Sequence, residues 1–509
     1  MKKISSILIV GGGTSGWMAA AYLSKLLFDV RITLVESRRI PVIGVGEATV
    51  PLINNFMRRI GFPEPRMWMN DCDATFKTAI LFENWAEQGD RYCHPFDYLD
   101  YVDARHHVGH CWLHWRQNGQ EEFRPKQSFY DSFFCSSVLN LGRHLMPASS
   151  EFAYHFDAHL FADLLRRTSE NVQHLIDDVV EVKLTETGDV ECLETAAHGG
   201  ISADLYLDCT GFQRRLISAI DPNLHVQANS RSLFTDRAVV LRFPYQSEED
   251  CERQMFPYVR ASARSAGWIW TIPLYSKIST GYVYSSCFLS EEQAELELRR
   301  YWGEERTRPA GALKLKFQTG CLERLWLKNC VAIGLAGGFV EPLESTGLAI
   351  TQTGVEFLGS MLDARYYDDG IIARYNMHLH KFYTDIINFI IVHYGLTQRE
   401  DTAFWRAVKH ETWFPDELRA RLDTFRCYLP TFSTRGTSEA WMFGDFSWFS
   451  ILLGMNFAFD SQHPPATSLE SAMEIRLQKQ RFIEEMTPKL PNHYRYLRST
   501  RNPPPAAPS

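Results

Sequence analysis

Gly11, Gly13 and Gly16 stand in the spacing G-x-G-x-x-G directly after a short apolar run, Ile7-Leu8-Ile9-Val10. Glycine at these places permits a tight turn, lets backbone approach a pyrophosphate, and lets the next helix pack on a sheet. Thr14, Ser15 and Gly16 would then present N–H groups to phosphate oxygens. Glu36 follows 20 residues after Gly16 at the end of a second apolar run, where a carboxylate can accept a hydrogen bond from a ribose hydroxyl. Together these residues read as a dinucleotide site. Gly46 and Ala48, in Gly44-Val-Gly-Glu-Ala-Thr49, add a second small-residue loop suited to close approach of a ligand. The fingerprint does not choose between NAD and FAD. Two later strand ends, Asp208-Cys-Thr-Gly211 and Gly334-Leu-Ala336, favour FAD by analogy with folds that reuse such ends around a flavin.

Other side chains have a plain reading when taken alone. Lys77, in Ala74-Thr-Phe-Lys-Thr-Ala-Ile80, reads as a surface lysine on a strand. Trp268 and Trp270 alternate, so on a strand they point the same way, and core packing accounts for that. Glu344 is a carboxylate in a glycine-rich loop.

The elements that must position these residues follow from the pattern. Residues 4–10 read as a buried strand, Gly11–Gly16 as a turn, Trp17–Leu27 as a helix and Val30–Glu36 as a second strand. Short strands are expected at Leu205–Asp208 and Cys330–Ile333, and others at Ala238–Phe243 and Gly281–Phe288. The stretches 50–150 and 225–320 show mixed strand and loop signals. Helices are expected at Glu356–Leu362, Ile371–Tyr394 and Pro415–Phe425, and Thr467-Ser-Leu-Glu470 has the form of a capping box. The implied organisation is an FAD-binding unit over 1–355, built from segments of about 1–50, 150–225 and 320–355 with substrate-facing segments between them. A mostly helical cap over 356–500 and a disordered tail over 501–509 follow.

Composition narrows the function. A formal net charge of -8 leaves no basic excess to neutralise nucleic-acid phosphates. The 11 cysteines are scattered without a C-x-x-C pair, which makes a poor disulfide framework and a poor zinc site, so no metal is expected and a reducing cytoplasm is the simplest home. The apolar start is broken at once by glycines, and no run approaches the ~18–20 apolar residues needed to cross a bilayer.

Four segments resemble the flavin-dependent tryptophan halogenases. They are Gly11–Gly16 followed by Trp17; Gly44-Val-Gly-Glu-Ala-Thr-Val-Pro51; Trp268-Ile-Trp-Thr-Ile-Pro273; and Phe339-Val-Glu-Pro-Leu-Glu-Ser-Thr-Gly347. Weaker matches, among them Tyr154-His-Phe-Asp-Ala-His-Leu160, extend over most of the chain. The resemblance implies an α/β, flavin-monooxygenase-like FAD-binding fold with a helical C-terminal substrate cap. It implies a reaction in which FADH₂, O₂ and halide yield hypohalous acid, HOX, which halogenates an electron-rich arene. Lys77 then matches the lysine that holds HOX by hydrogen bond or as a haloamine, and a buried lysine can supply either form. Glu344 matches the carboxylate that stabilises and deprotonates the cationic ring. Ser345 would link the flavin edge to the lysine region, and Gly334 would face the cofactor. Thr346 and Gly347 would hold halide through backbone N–H groups. Trp268, Trp270 and Pro273 would line the passage between flavin and substrate. His94, Phe96 and Trp441 would wall the substrate ring.

One segment departs from the family pattern. Tryptophan-specific members carry a Tyr-Tyr pair and a glutamate shortly before the residue matching Trp441, and these grip the amino-acid end. Here Thr431–Ala440 has no such pair, and Gly436 falls near the expected glutamate. The expected substrate is therefore a free indole-like compound rather than tryptophan. A second dinucleotide fingerprint is not found, so reduced flavin is expected from a separate flavin reductase, and a homodimer is a permitted assembly. The alternatives are an aromatic hydroxylase on the same fold, or a halogenase acting on carrier-bound substrate.

Overall fold

Ser6–Val10 is buried along its whole length, as an apolar run flanked on both sides by parallel strands should be. The computed structural model describes residues 1–40, 43–44, 48–134, 152–431 and 442–501, and all counts below refer to them. A six-stranded sheet runs in the order Trp326–Leu327, Cys330–Ala332, Leu205–Asp208, Ser6–Val10, Arg31–Glu36, Val172–Ile176. Its members pair in parallel except for the antiparallel edge strand Trp326–Leu327. Helix Thr14–Leu26 buries Trp17 through Ser24. On the sheet, Leu8, Val10, Val35 and Tyr206 share a core with Leu216 and Ile217.

The chain divides into two compact units, each assembled from separated segments. The first comprises Met1–Ala74, Phe156–Asn229 and Gln318–Thr384; the second comprises Thr75–His155, Ser230–Phe317 and Asp385–Ser509. The second holds a seven-stranded sheet in the order Leu313–Lys316, Arg237–Pro244, Lys277–Tyr284, Gly267–Pro273, Tyr258–Ala263, Ala79–Glu83, Arg91–Pro95. Val239, Leu241, Ile269 and Ile278 form its core with Ala294 and Leu298 of helix Glu291–Trp302.

The architecture is α/β with a helical C-terminal region, including helices Asp369–Gly395, Ala403–Glu411, Asp416–Cys427, Asp445–Gly454 and Ala466–Met486. No helix among the described residues is long and apolar enough to cross a membrane.

Several boundaries differ from the sequence reading. The first helix starts at Thr14, so Thr14, Ser15 and Gly16 form its first turn rather than the loop before it. The strand expected at Gly281–Phe288 runs instead over Lys277–Tyr284, because it pairs along its full length with Arg237–Pro244. The helix expected from Glu356 begins at Gly347, which brings the end of the glycine-rich motif into a helix N-terminus. Thr467 is not an N-cap: the helix is under way from Ala466 behind Pro465, and the Ser468 hydroxyl donates to Asp103 at 2.5 Å. The stretches read as strand and loop also contain helices Val108–Gln117 and Glu291–Trp302. The latter is opened by a capping box, Ser290 with Gln293, that is visible in the sequence.

Candidate active site

In the first unit, the glycine turn brings backbone into close approach, leaving no room for side chains. Gly11 has φ +114°, and a β-carbon there would fall 2.3 Å from the Cys209 carbonyl oxygen. A β-carbon on Gly16 would lie 1.8 Å from the Gly11 carbonyl oxygen. Gly13 is the N-cap of helix Thr14–Leu26 and makes no side-chain cap bond, so the cap leaves the first-turn amides available to an anion. Thr14 donates to the Ala158 carbonyl at 3.3 Å, and the Ser15 hydroxyl lies 3.4 Å from that of Thr351. Gly334, at φ +65°, approaches so closely that a β-carbon would fall 2.1 Å from Ser15 Oγ.

Glu36 ends its strand with one carboxylate oxygen, Oε1, 2.6 Å from His174 Nε2. The other oxygen, Oε2, hangs over Gly12, where a β-carbon would fall 1.4 Å from it. Gly12 occupies a variable position of the fingerprint and was not singled out from sequence, yet it clears the space for the carboxylate. Asp208 is structural: its oxygens accept from the N–H groups of Thr210, Leu216 and Ile217 and from the Thr210 hydroxyl. Ala48 is buried. Gly46 lies outside the described residues.

Within the Phe339–Gly347 motif the chain turns through the left-handed region. Glu344 and Ser345 are consecutive non-glycine residues in the left-handed region, at φ +63° and +59°. Such conformations cost about 1–3 kcal/mol each and persist where surrounding structure enforces them, commonly at functional sites. Glu344 is 2% exposed. Thr346 follows as N-cap of helix Gly347–Met361 without using its side chain as a cap; it is fully buried, and Oγ1 has no hydrogen-bond partner among the described residues. A β-carbon on Gly347 would meet nothing within 4 Å. Amides at a helix N-terminus beside open space suit a small anion.

In the second unit, Lys77 closes the short strand Thr75–Lys77, which pairs antiparallel with Ala153–His155. The strand is as expected, but the surface reading is wrong: Lys77 is 0% exposed. Its Nζ lies 4.9 Å from the centroid of the Phe96 ring, whose face attracts a cation. Local sequence could not reveal this burial, which depends on a partner strand 76 residues away in register, Lys77 opposite Ala153.

His94 is likewise buried, and its Nε2 lies 2.9 Å from the Ser447 hydroxyl. The Phe96, Phe389 and Phe443 rings lie 6.2, 5.9 and 6.2 Å from it, and Phe389 stacks on Phe443 at 3.8 Å. Sequence reasoning missed Phe389, Phe443 and Ser447. Trp441 lies outside the described residues, as does the segment of interest after Thr431. Trp268 and Trp270 are buried in strand Gly267–Pro273 with ring centroids 6.2 Å apart, as alternation on one face requires. The carbonyl of Pro273 accepts from the Thr75 hydroxyl at 2.6 Å.

The tryptophan halogenase family matches residues 6–471. The tryptophan 6-halogenase SttH of Streptomyces toxytricini is 34% identical, with 96% of this chain and 97% of that protein covered. Its crystal structure superimposes with a TM-score of 0.88 over 97% of this chain and 100% of that one. The tryptophan 7-halogenase RebH of Lentzea aerocolonigenes is 32% identical, with 93% of each chain covered. Xcc4156, a flavin-dependent halogenase from Xanthomonas campestris, is 33% identical with a TM-score of 0.85, over 100% of both chains. This chain belongs to the flavin-dependent tryptophan halogenases.

As a member of that family it is an FADH₂-dependent halogenase, an oxidoreductase that uses a flavin and a halide ion. The first unit fits an FAD: a glycine turn that β-carbons would fill, a helix N-terminus without a side-chain cap, and a carboxylate poised over the turn. Among tryptophan halogenases, the position halogenated differs between relatives as similar to this chain as SttH and RebH.

Proposed function

We propose that this halogenase acts on a free, electron-rich indole-like arene, with Lys77 directing the electrophile and Glu344 taking the ring proton. The bound flavin, once reduced, supplies HOX from O₂ and halide. Backbone amides at Thr346 and Gly347 hold the halide, supported by the helix N-terminus and the open space beside Gly347. Lys77 donates a hydrogen bond to the HOX oxygen or carries the halogen on its nitrogen. The observation that carries this reading is the complete burial of Lys77 with its Nζ over the Phe96 ring. Glu344 stabilises the cationic ring and removes its proton. His94 and Phe96 wall the ring, and Trp441 is assigned to the same wall on sequence alone. Trp268, Trp270 and Pro273 keep substrate away from the flavin. Reduced flavin comes from a separate reductase, since the sequence carries one dinucleotide fingerprint.

The indole preference rests on the Thr431–Ala440 segment, which lacks the Tyr-Tyr pair and glutamate. A zwitterion would surrender hydration there without compensating partners, whereas a neutral indole relies on stacking. The test is kcat/KM for indole and for tryptophan under one flavin supply, together with Lys77→Ala. The expected result is a higher value for indole and loss of halogenation in Lys77→Ala with flavin binding retained. A clear preference for tryptophan would overturn the substrate reading, and near-normal turnover in Lys77→Ala would remove Lys77 from the chemistry.

A further inference from the structure

A carboxylate and a guanidinium are paired in the interior close to the aromatic wall, and the assigned roles leave both unused. Asp385 is buried on helix Asp369–Gly395, and its Oδ1 accepts from Arg421 Nη1 at 3.0 Å. Burying two charges costs desolvation that their attraction repays only in good geometry, and an apolar pair of similar size often serves stability as well. What this pair adds is a fixed acceptor inside the protein. The second oxygen, Oδ2, accepts from the Met442 backbone N–H at 3.0 Å. Burial raises the Asp385 carboxyl above its ordinary range, and Arg421 and then the Met442 N–H pull against that rise.

Phe389 follows Asp385 by four positions, so both stand on one face of the same helix. The Phe389 ring stacks on that of Phe443, with centroids 3.8 Å apart and planes 15° from parallel. Two consecutive residues, Met442 and Phe443, thus grip two successive turns of one helix. One grip is a main-chain N–H on a carboxylate, the other a ring on a ring. His94 lies near both rings, 5.9 Å from Phe389 and 6.2 Å from Phe443, and is tilted at 54° and 50° to them. The Arg421 guanidinium lies 5.1 Å from the Trp448 ring, which meets Phe389 edge-on at 5.1 Å.

We propose that Asp385 is a positioning residue for the substrate wall: by holding the Met442 N–H it keeps Phe443 flat on Phe389, and the two rings fix the place and tilt of His94. The inference rests on the reading of His94 as a wall of the substrate ring. Stacking alone leaves two flat rings free to slide over one another, since offset arrangements differ little in energy. A hydrogen bond to a carboxylate is short and directional, so the Met442 N–H supplies the register that stacking leaves open. Arg421 favours the ionised carboxyl, the form that accepts at both oxygens. A carboxamide at the same place would offer one oxygen to two donors and turn an N–H toward one of them.

Steady-state kinetics of the full-length enzyme on an indole substrate tests this. Asp385→Asn should raise the KM for the arene about tenfold and leave kcat within about twofold of wild type. Flavin affinity and the KM for halide should not change. Phe443→Leu removes the ring through which the anchor acts and should raise the arene KM to a similar degree. The double variant Asp385→Asn/Phe443→Leu should be no worse than Phe443→Leu, because both changes break one linkage. Effects on KM that multiply overturn the proposal. The pair Asp385→Leu/Arg421→Met leaves no lone buried charge, so it separates positioning from stability and stands in if Asp385→Asn does not fold. It should fold and still show the raised KM; a wild-type KM in that variant overturns the proposal. His94→Ala tells which reading has failed. If it raises the arene KM and Asp385→Asn does not, the role of Asp385 fails and the wall stands. If His94→Ala leaves KM unchanged, the reading of the wall beneath the proposal fails.

Discussion

Gly12 lies directly beneath the Glu36 carboxylate: a β-carbon built on the glycine would fall 1.4 Å from Glu36 Oε2. The fingerprint glycines make the turn, but this unremarked neighbour lets the carboxylate reach over it. Gly12→Ala should therefore displace Glu36 and weaken FAD binding by at least about tenfold, ~1.4 kcal/mol. Gly13→Val should also weaken it, by intruding on the pyrophosphate. Flavin fluorescence titration measures both, and unchanged affinity in Gly12→Ala would remove Glu36 from the cofactor site.

Glu344 combines near-complete burial with a positive φ, so two substitutions separate chemistry from strain. Glu344→Gln keeps the shape and should lower kcat by ~10²-fold or more while flavin binding persists. Glu344→Gly relieves the backbone and should raise unfolding free energy by ~1 kcal/mol while equally inactive. Denaturant melts alongside turnover decide the matter; a destabilised Glu344→Gly would show that the side chain, rather than the turn, sustains this conformation.

Thr346 buries a hydroxyl without a partner among the described residues. If backbone amides hold the halide, Thr346→Val should change the KM for halide by less than about threefold and should stabilise the chain by ~1 kcal/mol, because an unsatisfied polar atom is removed. A large rise in halide KM would assign the hydroxyl itself to the ion.

His94 is oriented by the Ser447 hydroxyl at 2.9 Å. Loss of that bond in Ser447→Ala should raise KM for an indole substrate about fivefold, equivalent to ~1 kcal/mol, with kcat less affected. Steady-state kinetics on one substrate checks it, and an unchanged KM would make the His94 wall independent of Ser447.

His110 is held at about 4, chiefly by burial and then by the charge of His106. The unfolded chain binds the proton near 6.5, so between about 6.5 and 4 the unfolded state holds more protons than the folded one. Stability is thus full above that window and falls as pH falls through it, by about 3 kcal/mol for this group. His110→Gln should flatten the decline expected in urea melts between neutral and mildly acid pH. An unaltered slope would show that His110 takes up its proton in the folded state without penalty.

The glycine turn was legible because its demands are local: adjacent residues, a tight backbone and a strand on each side. The long helix Asp369–Gly395 and the strand Leu205–Asp208 were legible for the same reason, since their period is written in contiguous residues. The start of helix Gly347–Met361 was not, because the left-handed pair Glu344-Ser345 just before it is imposed by surroundings rather than favoured by either residue. The strand Lys277–Tyr284 was misplaced because its limits are set by Arg237–Pro244, not by its own composition.

By itself the sequence determined that a dinucleotide-type turn opens the chain and that its motifs resemble those of one flavin-dependent family. Only the tertiary structure decided that Lys77 is buried, that His155 Nε2 is buried without a hydrogen-bond partner among the described residues, and that Gly12 makes room for Glu36. The physical reason is that burial, hydrogen bonding and clearance are properties of pairs. The partners here, Thr75–Lys77 with Ala153–His155 and Gly12 with Glu36, meet only once the chain has folded.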